Sequence, residues 1–555
     1  MPLLLEFLII LIVSPLKAGF KVKKKGITFI ALLIFLLFGP FSREEVRADE
    51  PLTNSSEQLI NNGKDLAKQG RYEEALKVFD EAISLKPQCF DAWMDKGGAL
   101  MHMARFKEAE EAFDKAAQIN PNSLEAWNNK GMMLIRLQKY RDAAESFRSA
   151  LQIKPDSYET FLNITGLYEE IGRYKEALEV LNKALQLRPD AFEALMGKGL
   201  NYARLRQFDP ALQAFTRAVE VRPDSSKAWY NKGLMFLRLR RYQEAIDTFS
   251  KAIEIDPGYW VAYVDKGMTL GEIGKDKEAL EAFDKALAIK PDFSEAWNIK
   301  ALTLVRLGDL EGALGAFNKS IEVNPASMTL SNKGLVLVRL GRYQEAIDTL
   351  EKAIEITPEY YTAWGNKGLA LDGLGRREEA TVALDKALEI RPDYTEALIN
   401  KGKVLVKLNR YEEASAAFKK ASDANANSYD AWYNLAGTLF SAGKIEDSRG
   451  AVERAVVLWP DSPEAWNLKG LILEVLGKHN EAIEAYTKVL SLRPNHAASW
   501  YNISLSCAEM GKKEDLLYCL RRAITLEPKY REEAKKNPYF QVYREEKKFK
   551  EIVGE

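Results

Sequence analysis

From residue 56 to residue 530 the chain repeats one pattern of apolar, small and polar positions about every 34 residues. Each unit opens on a large apolar residue: Leu59, Trp93, Trp127, Phe161, Leu195, Trp229, Tyr263, Trp297, Leu330, Trp364, Leu398, Trp432, Trp466 and Trp500. Four places later stands a small residue, mostly glycine, as at Gly97, Gly131, Gly233 and Gly368. An alanine follows (Ala109, Ala143), then an aromatic residue or leucine (Phe113, Phe147, Leu181), then a second alanine (Ala116, Ala150). Spacings of three and four put such residues on one face of a helix. A turn such as Gly172-Arg173-Tyr174 splits each unit, because glycine accepts the left-handed conformation that ends a helix. Prolines at 87, 121, 155, 189, 223, 257, 291, 325, 358, 392, 460, 494 and 528 close the second helix. The predicted unit is therefore a pair of packed helices, with small residues at the crossing and rings filling the space beside it.

Two irregularities interrupt the period. The step from Pro325 to Pro358 is 33 residues, and Ala426 stands where a proline is due. Both are expected to be soft points of the stack.

The framework W…G…Y…A…F…A…P resembles the tetratricopeptide repeat (TPR). Its Asn-Lys-Gly phrase, at Asn129-Lys130-Gly131, Asn231-Lys232-Gly233 and Asn366-Lys367-Gly368, is similar to prokaryotic arrays, archaeal ones among them. The resemblance implies an all-α fold: an α-solenoid coiled as a right-handed superhelix of about fourteen hairpins, each burying its apolar face only against its neighbours. Residues 49–55 read as a linker, 56–530 as the array and 531–555 as a C-terminal capping helix. Asn537-Pro538 marks a break there, and Phe540, Tyr543, Phe549 and Ile552 are expected to cover the last exposed face.

In this family the first helix of each hairpin lines the concave surface. Two places after the large apolar position, a row of amides recurs: Asn129, Asn163, Asn231, Asn332, Asn366, Asn400, Asn434 and Asn502, with Asp95 and Asp265 in two slots. Asparagine is a poor mid-helix residue, so its recurrence needs a reason. An amide both donates and accepts, so such a ladder suits an extended peptide backbone of any sequence. It resembles the peptide-tracking asparagines of O-linked N-acetylglucosamine transferases; the alternative is packing against the next repeat. One position on stand lysines, among them Lys232, Lys367 and Lys401, where the family usually has leucine. They read either as a basic rail for acidic peptides or as stems covering apolar surface with their charge neutralised by nearby acids. Leu234, Leu302 and Leu369, beside Arg136, Arg204, Arg238, Arg306 and Arg339, read as an apolar groove floor edged by guanidinium groups, or as core.

Basic and acidic residues nearly cancel, 79 against 80, so no field invites nucleic acid. The balance is uneven, because residues 1–48 hold seven basic side chains against three acids. Those residues contain two apolar runs, 3–13 and 27–38, around Lys17–Lys25, and end in Val46-Arg47-Ala48. The second run is too short for a spanning helix, which needs about 17–25 residues. The segment reads as a signal peptide, or as a membrane anchor made by both runs, with a start at Leu16 or Val22 as a further reading. These readings put the array on the outer side of a membrane, exported or anchored. Asn54, in an Asn-x-Ser sequence before the array, is then a glycosylation candidate.

Three dispersed histidines (His102, His479, His496), three cysteines without metal spacing, and no phosphate-cradling or nucleophile motif point away from an enzyme, a metal or a cofactor. The expected function is a scaffold that binds a peptide or helical segment of a protein partner. The alternative is a structural protein organising a membrane or cell-surface complex through self-association.

Overall fold

A computed structural model describes residues 52–555, and it is built of paired helices. No strand occurs among the described residues. The chain forms two compact units, one through Ala282 and one from Phe283. In the first, hairpin 1 pairs Leu52–Lys68 with Tyr72–Leu85, hairpin 2 pairs Phe90–His102 with Phe106–Ile119, and hairpin 3 pairs Leu124–Arg136 with Tyr140–Ile153. Hairpins 4 to 6 continue through Tyr158–Glu170 and Tyr174–Leu187, Phe192–Arg204 and Phe208–Val221, and Ser226–Arg238 and Tyr242–Ile255. Hairpin 7 consists of Trp260–Glu272 and Asp276–Ile289, the latter containing the boundary between units.

In the second unit hairpins 8 to 10 run Ser294–Arg306 and Leu310–Val323, Ser327–Arg339 and Tyr343–Ile356, and Tyr361–Gly373 and Arg377–Ile390. Hairpins 11 to 14 run Thr395–Lys407 and Tyr411–Ala424, Tyr429–Ser441 and Ile445–Leu458, Pro463–Val475 and His479–Leu492, and Ala497–Glu509 and Lys513–Leu526.

In most hairpins a glycine of the first helix sets how closely the partner helix approaches, with Thr165, Ala301, Ala436 and Ser504 in the other four. A Cβ placed on Gly199 would lie 2.6 Å from Cε1 of Phe215, and one on Gly334 would lie 2.5 Å from Cγ of Leu350. The rings thus touch helix backbone and are buried outright, Phe215 and Phe249 at 0% exposure. Full burial of such a side chain contributes about 1.5–3 kcal/mol. Each first helix ends in a left-handed residue, as at Gly172 (φ 73°) and Gly341 (φ 75°). There the Arg173 N–H donates to the Tyr168 carbonyl at 2.8 Å, the closure that satisfies the helix's last acceptors. Hairpins are linked through the indoles. Trp229 Nε1 donates to the Pro223 carbonyl at 2.8 Å, and Trp364 Nε1 to the Pro358 carbonyl at 2.9 Å.

Three details differ from the sequence expectations. The first helix begins at Leu52, so the linker expected over 49–55 is shorter and Asn54 lies inside a helix. The capping region is three short pieces, Lys529–Lys536, a 3-10 turn over Pro538–Tyr543, and Lys547–Val553, in place of a single helix. Pro538 has no N–H and breaks the run, which lets Phe540, Tyr543, Phe549 and Ile552 fold back to full or near-full burial against hairpin 14. The proline-free link at Ala426 keeps the geometry of the others: Trp432 Nε1 donates to the Ala426 carbonyl at 3.0 Å, and the Asn427 N–H donates to Asn425 Oδ1 at 3.1 Å. Both bonds also occur at the link through Pro121, so they hold the link with or without proline. The signal or anchor read from residues 1–48 lies outside the described residues. Among those described, no helix is long and apolar enough to cross a membrane.

Candidate functional site

Within each unit successive first helices lie side by side, and the amide row runs where they meet. Its members divide by what they bond. Asn366 is buried and donates through Nδ2 to Ser331 Oγ at 3.1 Å, across to the preceding hairpin. Asn231 and Asn434 donate to their own helix, to the Lys227 carbonyl and the Asp430 carbonyl, both at 2.7 Å. Asn129, Asn163, Asn332 and Asn400 are half-buried and engage no side-chain hydrogen bond among the described residues. Asn502 lies close to the buried hydroxyl of Tyr486. Packing therefore absorbs part of the row and leaves four amides with their donors and acceptors available.

The two aspartate slots are different. Asp265 is buried, and Tyr230 Oη donates to its Oδ2 at 2.6 Å from the preceding hairpin. Burial pushes the carboxyl up to about 6, against the opposing pull of the Tyr230 hydroxyl and the Arg238 charge. Burial also raises Asp95 to about 6, although Lys64 Nζ stands 3.3 Å away.

The lysines, one residue further along, do not join the amides. One step on a helix is a turn of about 100°, which carries them toward the second helix of the preceding hairpin. Lys367 Nζ meets Glu351 Oε1 at 2.7 Å, and Lys401 Nζ meets Asp385 Oδ1 at 2.5 Å. Lys232 lies 5.2 Å over the Trp229 ring, and burial lowers its pKa. At Lys367 and Lys401 the charge is thus neutralised between hairpins. Leu234 and Leu302 are half-buried against the hairpin cores and Leu369 is half-buried as well, while Leu200 in the same column is 37% exposed. Arg136, Arg204 and Arg339 are exposed beside that column. No side chain of Asn54 is described.

Sequence reasoning passed over one inter-hairpin contact. Asn128, adjacent to the row, is buried and donates through Nδ2 to Thr160 Oγ1 of the next hairpin at 3.0 Å. The adjacent Asn-Asn pair in this hairpin was its only signal. Among the described residues no group of three or more His, Cys, Asp or Glu side chains is placed to hold a metal ion.

Antiparallel hairpins stacked in this way within each unit define a helical-repeat protein. Family profiles described as tetratricopeptide repeat match residues 60–123, 103–158, 197–259 and 399–463, and others of that description match 134–199, 236–303, 325–393 and 463–496. The chain belongs to the tetratricopeptide repeat family. A profile described as anaphase-promoting complex, cyclosome, subunit 3 also matches residues 273–353.

Among solved structures, YrrB, described as a TPR protein with an unusual peptide-binding site, is 29% identical, with a TM-score of 0.32, over 34% of this chain and 98% of that one. MamA is 25% identical over 30% of this chain and 91% of that one, with a TM-score of 0.29. Yeast Tom70 is 16% identical over 80% of this chain and 96% of that one, with a TM-score of 0.37. No curated protein sequence matches the chain.

Proposed function

We propose that the chain is a protein-interaction scaffold that holds a linear segment of a partner protein along the first-helix face. The observation that supports this is the set of half-buried amides, Asn129, Asn163, Asn332 and Asn400, with no side-chain hydrogen-bond partner among the described residues. Each of these amides keeps a donor and an acceptor open at the surface, and a peptide backbone supplies the complementary pair to each one. Apolar side chains of the segment would rest on Leu200 and its column, with the exposed arginines at the edge. The row lies within each unit separately, so each unit is able to bind a segment on its own.

The test is affinity capture from extracts of the source cells with the full chain and with a variant carrying alanine at those four positions. A partner held by the first and lost from the second supports the reading. Identical partners on both overturn it and favour self-association or another face, which sedimentation at rising concentration would then distinguish.

We further propose that residues 1–48 carry the array to the outer side of a membrane, on the strength of the basic stretch followed by the apolar run at 27–38. Protease added to intact cells should then degrade the array. Protection until the cells are lysed would sink this proposal.

A further inference from the structure

The amide row is interrupted at Gly197 in hairpin 5, at Ile299 in hairpin 8 and again in hairpin 13. The last of these slots holds Leu468, with Asn467 one place earlier. At this break the first-helix face opens into a cavity of about 260 Å³, lined by Tyr433, Pro463, Leu468, Leu471, Arg493 and His496 among others. One wall is aromatic: Tyr433 stacks on Tyr429 with ring centroids 5.6 Å apart and planes within 10°. Trp459 braces Tyr429 edge-on from behind at 5.0 Å. Leu468 and Leu471 supply apolar lining beside the amide of Asn467, whose Oδ1 is buried without a partner among the described residues. The rim is held by an ion pair between Arg493 Nη2 and Glu464 Oε1 at 2.8 Å, and His496 is oriented by Ser499 Oγ at 2.8 Å.

We infer that this cavity is an anchor pocket for one aromatic side chain of the bound partner segment, a deepening that rests on the scaffold reading above. Its volume lies below the roughly 300–1,000 Å³ typical of small-molecule and cofactor sites, yet it admits a single ring. An aromatic wall beside apolar lining suits an offset or edge-on ring contact, and the polar groups of Asn467 and the rim suit a hydroxyl at the ring's far end. An amide row grips a backbone without regard to sequence, so it sets no register of its own. A ring-sized pocket at a break in the row would set one, because only one residue of the segment fits it.

The test uses p-cresol, the tyrosine side-chain analogue, observed by saturation-transfer NMR on the full chain, with 3-methyl-1-butanol as the aliphatic control. Leu471→Trp fills the cavity, and Tyr433→Ala removes the aromatic wall while leaving its space. The expected result is saturable p-cresol binding at least about tenfold tighter than that of the alcohol, weakened about tenfold or more in each variant, with thermal unfolding confirming that the variants are folded. Equal binding of p-cresol to the native chain and to both folded variants overturns the pocket, as does binding of the alcohol as tight as that of p-cresol. Should the four-alanine variant lose its partner while p-cresol fails to bind, the pocket alone is wrong. Should p-cresol bind as expected while that variant keeps its partner, the pocket stands and the amide row is wrong.

Discussion

The Cα of Gly470 faces the ring of Tyr486 so closely that a Cβ there would lie 2.4 Å from the ring's Cε1. The ring is completely buried, and its hydroxyl donates to Glu474 Oε2 at 3.0 Å, so it has no room to withdraw. Gly470→Ala should therefore destabilise the chain by about 1–3 kcal/mol, the usual cost of overpacking. Gly437 is the control: only Leu468 comes near its would-be Cβ, at 4.0 Å. Gly437→Ala should be neutral or stabilise by up to about 1 kcal/mol, since alanine is the better helix former. Urea midpoints of the two variants would separate them. Equal midpoints would show that the close approach does not govern packing.

The turn between helices requires a left-handed residue, and five hairpins supply it without glycine. Ala104 has φ 58° and Arg240 has φ 58°. For an alanine or an arginine that conformation costs about 1–2 kcal/mol. Ala104→Gly and Arg240→Gly should each raise stability by about 0.5–1 kcal/mol, the gain being reduced by glycine's greater freedom in the unfolded chain. Differential scanning calorimetry would read this as a higher melting temperature, and a fall would refute it.

Asp265 makes stability depend on pH in a direction set by burial. Its carboxyl titrates near 6 in the folded chain and near 3.8 when unfolded, so the folded state binds the extra proton between those values. Stability should thus fall as pH rises from about 4 through about 6, by on the order of 2–3 kcal/mol when the carboxylate is fully charged. Asp265→Asn restores the amide of the other slots and can still accept from Tyr230. It should be more stable than the native chain at pH 8 and close to it at pH 4. Denaturation at the two pH values decides the matter, and a variant less stable at pH 8 would overturn it.

The short link should open before the proline-free one. Hairpin 9 is entered through residues 324–326 alone, and Leu330 has no indole to bond back to the link. Ala426 retains its bond from Trp432 Nε1. Brief digestion with a nonspecific protease should cut near 324–327 ahead of 425–428, with sites read by mass spectrometry. The reverse order would place the weak point elsewhere.

The sequence by itself determined the hairpins and their number, because helix periodicity, glycine at the crossing and proline at the exit all act within a single repeat, as from Gly97 to Pro121. It also placed the amide row and the aromatic cap at Phe540 and Phe549. It did not separate Asn366 from Lys367, which are neighbours in the chain but meet Ser331 of one helix and Glu351 of another. Which way each points depends on the rotation of the first helix against the previous hairpin, and that rotation is set by contacts between repeats. For the same reason only the tertiary structure decided that Asn366 is consumed by packing while Asn332 and Asn400 remain available. It likewise decided that a single leucine in the row, Leu468, lies beside a cavity: an empty volume belongs to the surrounding hairpins jointly, and no one segment of sequence encodes it.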